Sequence, residues 1–253
     1  MAENQISLPP NFGTLAARKA ALEAYLAEQT KVTGNVYGAV TMSEKVYHKA
    51  MSKDGGNIDF NLTQNIPNNG DVSLTADEVF VPMQVMIELV AIPVVDGTAR
   101  YSNAVPRTHP DKSLFKGLAS KQLQAVYGAT ALWTFSGNQI LPKIPMTQFL
   151  LVPSAAAANF DGREGRMTDT ALPAIVKTIE TVFSVKFPNK ELMVPFTTDI
   201  EGDNDETTGK PANIYALRLR VLGATIVVQD PAQSLAIANA YNSHPSLRFI
   251  KPC

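Results

Sequence analysis

The chain has a single cysteine, Cys253, so it can form no intrachain disulfide and cannot build a paired-cysteine metal or redox centre. That suits a reducing compartment and sets the expectation of an intracellular protein. Excess charge of either sign is also missing. Lys and Arg total 22 against 23 Asp and Glu, a formal net charge of -1, so no global basic surface exists to neutralise phosphates. Nucleic-acid contact, if any, is expected only through a local patch. Charged residues are 18% of the chain, below the roughly 25% of ordinary soluble domains. The surface is then expected to be finished by Asn, Gln, Ser and Thr, or by neighbouring subunits. The longest apolar run, Val79 to Val95, is broken by Pro82, Gln84, Glu88 and Pro93. It is also shorter than the ~20 residues that cross a bilayer as a helix, so no transmembrane segment is expected. Met1-Ala-Glu-Asn-Gln lacks the basic and apolar regions of a signal peptide, and no export by that route is expected.

Several catalytic signatures are missing as well. There is no Gly-x-Ser-x-Gly nucleophile elbow. Gly209-Lys210-Pro211 fails as a phosphate loop, because Gly202 stands at the wrong distance and proline replaces the hydroxyl that would meet magnesium. The three histidines, His48, His109 and His244, lie in separate segments read as loops, without metal-ligand spacing, and are assigned to surface or packing roles. The candidate metal set is Asp199, Glu201, Asp203 and Asp205, alternating hard-oxygen donors of the kind calcium takes. As an EF-hand counted from Asp199 it would place Asn204 at the glycine position and Lys210 at the final glutamate position, so a solvated acidic loop is the preferred reading. Gly162-Arg-Glu-Gly-Arg166 could offer two guanidinium groups to an anion, but reads first as an exposed turn. No catalytic residue, cofactor site or required cofactor emerges, and the expectation is a protein that is not an enzyme.

What is present is mostly β texture. From Val79 to Ala91 every odd position is apolar, the period-two signature of a strand. Pro82 and Pro93 cannot donate ladder hydrogen bonds, so this run must have edge character or bulges there, or be two strands. Tyr215, Leu217, Leu219 and Val221 alternate likewise and lead into Thr225 to Val228, with Arg218 and Arg220 on the opposite face. Ala131, Trp133 and Phe135 run up to Ser136-Gly137-Asn138 and predict a hairpin whose aromatics belong to a core. Short strands are expected at Ile58 to Leu62, Phe149 to Val152, Val182 to Phe187 and Leu192 to Phe196. The polar, punctuated stretch Lys31 to Gly70 predicts only short strands and loops. Leu15, Leu22, Tyr25 and Leu26 predict an amphipathic helix over Thr14 to Gln29, preceded by a Pro-rich extended arm. Further helices are expected near 168–182, from Leu172, Ile175, Val176 and Ile179, and near 231–241, where Asp230 caps and Pro231 takes the first position. A short helix or turn is read at Ser113 to Tyr127. The chain divides into an N-terminal arm, helix and short strands over 1–70 and a β-rich body over 71–253. At 253 residues it can bury a substantial core, and the fold class is mainly β with helical additions, a jelly-roll-type β-sandwich.

Two stretches carry a family resemblance. Val79-Phe-Val-Pro-Met-Gln-Val-Met-Ile-Glu-Leu-Val-Ala-Ile-Pro-Val-Val95, followed by Leu123-Gln-Ala-Val-Tyr-Gly-Ala-Thr-Ala-Leu-Trp-Thr-Phe-Ser-Gly-Asn-Gln-Ile-Leu-Pro-Lys-Ile-Pro-Met-Thr-Gln-Phe-Leu-Leu-Val-Pro153, resembles virion structural proteins of tailless, icosahedral bacterial viruses. The resemblance covers about a third of the chain and rests on strand order and texture. It implies a capsid subunit, a single or compact double jelly roll, made in the host cytoplasm and resident in the virion. Its partners would be copies of itself, and other virion proteins. The N-terminal arm and first helix would tie neighbours together or face the interior, and no catalytic residue is implied. The alternatives are a non-catalytic module binding glycan or protein through loops such as Arg100 to Lys112 or Asp199 to Gly209, and an enzyme whose carboxylate pair is assembled from distant segments.

Overall fold

The computed structural model describes residues 15–50, 57–63, 74–103, 105–107, 128–139, 144–146, 173–186 and 213–243. Along the chain run α1 (Leu15–Thr33), β1 (Tyr37–Ala50), β2 (Ile58–Asn61), β3 (Glu78–Val95), β4 (Thr98–Ala99), β5 (Val105–Arg107), β6 (Thr130–Phe135), β7 (Asn138–Gln139), β8 (Ile144–Pro145), β9 (Ile175–Val176), β10 (Thr181–Lys186), β11 (Asn213–Val228) and α2 (Pro231–Ser243). The protein is mainly β, built as curled antiparallel sheets with two helices among the described residues. One sheet has the order β1-β11-β3-β4, with β5 and β9 also on β3; the other has the order β2-β10-β6-β7, with β8 also on β6.

β3 and β11, 18 and 16 residues long, form the spine of the first sheet. The alternation in β3 makes one continuous strand, and it is central: β11 lies along one side, and β9, β5 and β4 along the other. Pro82 falls between the pairings to β9 at Val79 and Phe80 and those to β5 at Leu89 to Ala91. On the β11 side the register slips there: Leu222 faces Gln84 while Gly223 faces Pro82, leaving Met83 as the extra residue of a bulge. Arg18 of α1 reaches this irregularity and donates a buried hydrogen bond from Nη1 to the Met83 carbonyl at 2.5 Å. Gly223 is required at this point, since a Cβ would run into the Val81 carbonyl and the Phe80 ring.

Because side chains alternate with period two, one extra residue exchanges the faces. Val79, Val81 and Met83 pack on the helix side with Ala224, Ile226 and Val228. Past the bulge, Val85, Ile87 and Ala91 point the other way, with Leu217, Leu219 and Val221. A single apolar alternation in sequence thus serves two cores, which is how β3 comes to be buried on both faces.

The second core joins the two sheets. Phe60, Trp133 and Phe183 stand side by side on β2, β6 and β10, with Trp133 edge-on to Phe183 at 5.6 Å. They pack in one cluster with Tyr47, Phe80, Val85, Ile87, Leu217, Leu219 and Val221 of the first sheet. The expected hairpin is present: Ser136 and Gly137 both have positive φ and join β6 to β7, the geometry of a two-residue turn that matches strand twist.

α1 buries Arg18, Ala21, Leu22, Tyr25 and Leu26, a helical stripe, and ends where Gly34 takes positive φ and returns its N–H to the Thr30 carbonyl. The Thr14 cap and the arm before it lie outside the described residues. α2 starts as expected, with Asp230 Oδ1 accepting from the Ala232 N–H at 2.9 Å and Pro231 in first position.

Two expectations need correction. The helix near 168–182 is not what its described part forms: Pro173 to Val176 is buried and extended into β9, a turn follows, and Thr181 opens β10. Its Ile, Val and Thr residues are stiff at χ1 and prefer a pleated surface, and Ala174 and Val176 are consumed by the core under α2. The polar stretch Lys31 to Gly70, read as short strands and loops, contains the 14-residue β1. Of the segments read as Ser113 to Tyr127, Phe149 to Val152 and Leu192 to Phe196, none falls within the described residues.

Candidate functional site

β1 closes one side of the first sheet, and among the described residues it pairs with β11 alone. Its two halves differ. In the second half Lys45 lies over the Phe80 ring at 5.4 Å, the buried Tyr47 hydroxyl donates to the Leu62 carbonyl at 2.9 Å, and His48 packs on Tyr101 with ring centres 5.6 Å apart. In the first half Gly38, Ala39, Thr41, Met42 and Glu44 are exposed. Adjacent residues point to opposite faces, so apart from the buried Val40 this stretch is exposed on both. From Val36 to Ser43 it carries neither charge nor proline. Val36 and Met42 are 60% and 38% exposed, as is Val227 at 44% beside Gly38. A register slip between Tyr37 and Val40 marks the start of the strand, and beyond it the ladder to β11 is regular.

A charge network pins this edge to the sheet's interior. Cross-strand register brings His48, Arg218 and Glu88 into one row, with Val46, Arg220 and Met86 in the next. Arg218 Nε meets Glu88 Oε2 at 2.5 Å, Arg220 Nη1 lies 3.6 Å from Glu88 Oε1, and Arg220 Nε meets Glu44 Oε1 at 2.6 Å. Glu88 is the buried hub, its side chain 3% exposed, whereas Glu44 at the rim is 28% exposed. Among the described residues two carboxylates face two guanidinium groups, and this pairing offsets charge that would otherwise be costly under so little solvent. Ser43 and Thr225 add a hydroxyl pair at 2.7 Å.

A second feature is a cleft of about 100 Å³ between α1, α2 and the start of β1, bordered by Tyr25, Gln29, Tyr37 and Gln233. Burial, with a smaller contribution from the Tyr37 charge, pushes the Tyr25 hydroxyl up to about 12. Burial also raises Tyr47. At the surface, the hydrogen bond with Thr75 holds the Asp77 carboxyl below its usual range. Neither tyrosine is poised for proton transfer near neutral pH.

The sequence candidates are distributed as follows. Asp199, Glu201, Asp203 and Asp205, the arginines of Gly162 to Arg166, His109, His244 and Gly209 to Pro211 lie outside the described residues. His48, read as a loop residue, is a buried residue of β1 in register with Arg218. Trp133 is fully buried in the shared core, as expected of that alternation. The loop read as Arg100 to Lys112 is partly ordered structure: Tyr101–Asn103 is a 3-10 turn and β5 pairs with β3. Arg218 and Arg220 do share the face expected of them, and Glu44 and Glu88 are the partners that sequence reasoning missed. The open edge was missed too, although Tyr37, Val40, Thr41, Val46 and Tyr47, bounded by Gly34 and Asp54-Gly-Gly56, carry a β-branched and aromatic signal. Among the described residues no three His, Cys, Asp or Glu side chains gather as metal ligands, and no helix is long and apolar enough to cross a membrane. Neither the protein-family models nor the curated proteins contain a match to this chain.

Proposed function

We propose that this chain is a structural virion protein, a capsid subunit of jelly-roll type that self-assembles into an icosahedral shell. The observation that carries the reading is the edge of β1, which among the described residues pairs on one side only, with β11. Unpaired N–H and C=O groups along an extended edge are a template for another strand, and chains that stay single blunt such edges with charge, proline or bulges. Here the stretch Val40 to Ser43 has none of these, lying between a register slip on one side and Glu44 and Lys45 on the other. Two further observations support it: curled antiparallel sheets that share an aromatic core, as the two layers of a jelly roll do, and a charge network behind the edge that pairs Glu88 and Glu44 with Arg218 and Arg220. On this reading the subunit is made in the host cytoplasm and resides in the virion. The test is light scattering with electron microscopy of the purified chain over a wide concentration range. Closed particles or discrete oligomers are expected, and monomers at every concentration would overturn the proposal.

A further inference from the structure

We infer that β1 pairs antiparallel with β1 of a second copy about a two-fold axis at Thr41, an inference that rests on self-association as proposed above and specifies its contact. A two-fold axis normal to the sheet keeps each residue on its own face, and opposite residues of an antiparallel pair share a face. The axis must therefore pass through a residue of β1, and few centres are open. An axis at Glu44 or Lys45 sets like charges directly opposite, which is destabilising. One at Tyr47 sets Lys45 opposite Lys49, and from Lys45 to His48 the side chains on the strand's faces are already engaged by Phe80, Leu62 and Tyr101. An axis at Met42 or Ser43 sets Glu44 against Val40 or Met42, burying a carboxylate beside an apolar side chain. Val40 and Thr41 are the remaining centres on the regular ladder, and an axis at Val40 takes every partner on one side from the slipped residues Tyr37 to Ala39, whereas Thr41 keeps Val40 as a partner on the regular ladder. An axis at Thr41 joins threonine to threonine and sets Val40 opposite the second copy's Met42, which covers a methionine 38% exposed in the single chain. Glu44 and Lys45 then fall opposite the uncharged segment before Val40. Thr41 is itself exposed, so changing it leaves the single chain's core untouched.

The experiment compares the wild type, Thr41→Lys, Thr41→Glu and an equimolar mixture of the two variants by light scattering, with thermal melting of each at high dilution. Each variant alone is expected to associate at least about fivefold more weakly than the wild type, and the mixture to recover because opposite charges now meet. If the wild type associates and either variant does so equally well, or the mixture does not recover, the edge contact is overturned while self-association stands. If the wild type is monomeric, both fall together. A Thr41→Cys, Cys253→Ser chain gives an independent reading. It is expected to form a disulfide-linked pair on mild oxidation, and failure to do so while still associating would also overturn the axis.

Discussion

β3 and β1 are both long strands of one sheet, and the difference between them is where each meets water. β3 is buried on both faces from Val79 to Glu88, its apolar alternation handed from the helix side to the second sheet at the Met83 bulge. β1 is buried at Val40 and where Lys45, Tyr47 and His48 fold under, and the rest of its first half is exposed, with no pairing on its outer side among the described residues. An interior strand is specified by its contacts within the chain. The open half of an edge strand is specified by little within the chain, so what its residues can do is meet something else. Substitutions in β3 should therefore act on folding, and those in the first half of β1 on association.

The sharpest break in that comparison comes from the hub of the charge network. Glu88→Ala leaves two arginines without their shared buried carboxylate and is expected to cost about 3–5 kcal/mol of stability in denaturant titrations, as loss of one partner of a buried pair does. Glu44→Ala at the rim is expected to cost under about 1 kcal/mol. Gly223→Ala comes next: its methyl must displace the Val81 carbonyl or the Phe80 ring at the bulge, and overpacking of this kind costs about 1–3 kcal/mol. Tyr47→Phe removes the hydroxyl that ties the closed half of β1 to Leu62 and is expected to cost about 1 kcal/mol, plus the desolvation of an unpaired carbonyl. Smallest of all, Thr41→Lys is expected to shift folding stability by no more than about 0.5 kcal/mol, the range of ordinary surface substitutions.

A pH dependence follows from the two buried tyrosines. Their folded-state values are raised by burial, that of Tyr25 to about 12 from 10.0. Their contribution is thus complete below pH 10 and is lost as the pH climbs through that interval, because only the unfolded chain ionises freely there. Thermal melts between pH 9 and about 12 should show a fall that is reduced in Tyr25→Phe.

The strands most legible in the sequence were those that bury apolar side chains at period two: β3, β11, β6 and, briefly, β2. Both described helices were legible from stripe and cap, α1 by Leu22, Tyr25 and Leu26 and α2 by Asp230-Pro231. β1 was hidden because its face residues Glu44, Lys45, His48 and Lys49 are polar and its strand partner β11 is distant in sequence, Glu44 meeting Arg220 across 176 residues of chain. The same distance hid the charge network: Arg218 and Arg220 could be placed on one face, but nothing local points from them to Glu44 or Glu88. The supposed helix before β10 failed because its spacing fits two periods at once, and residue stiffness and burial decided for the extended one.

The most direct measurement is amide hydrogen exchange on β1 and β3 as the protein is concentrated. Protection of the amides from Thr41 to Glu44 is expected to rise as larger species form, with the β3 amides already protected and unchanged. Association that leaves the exchange of that segment unaltered would contradict an edge strand completed by other copies of the chain.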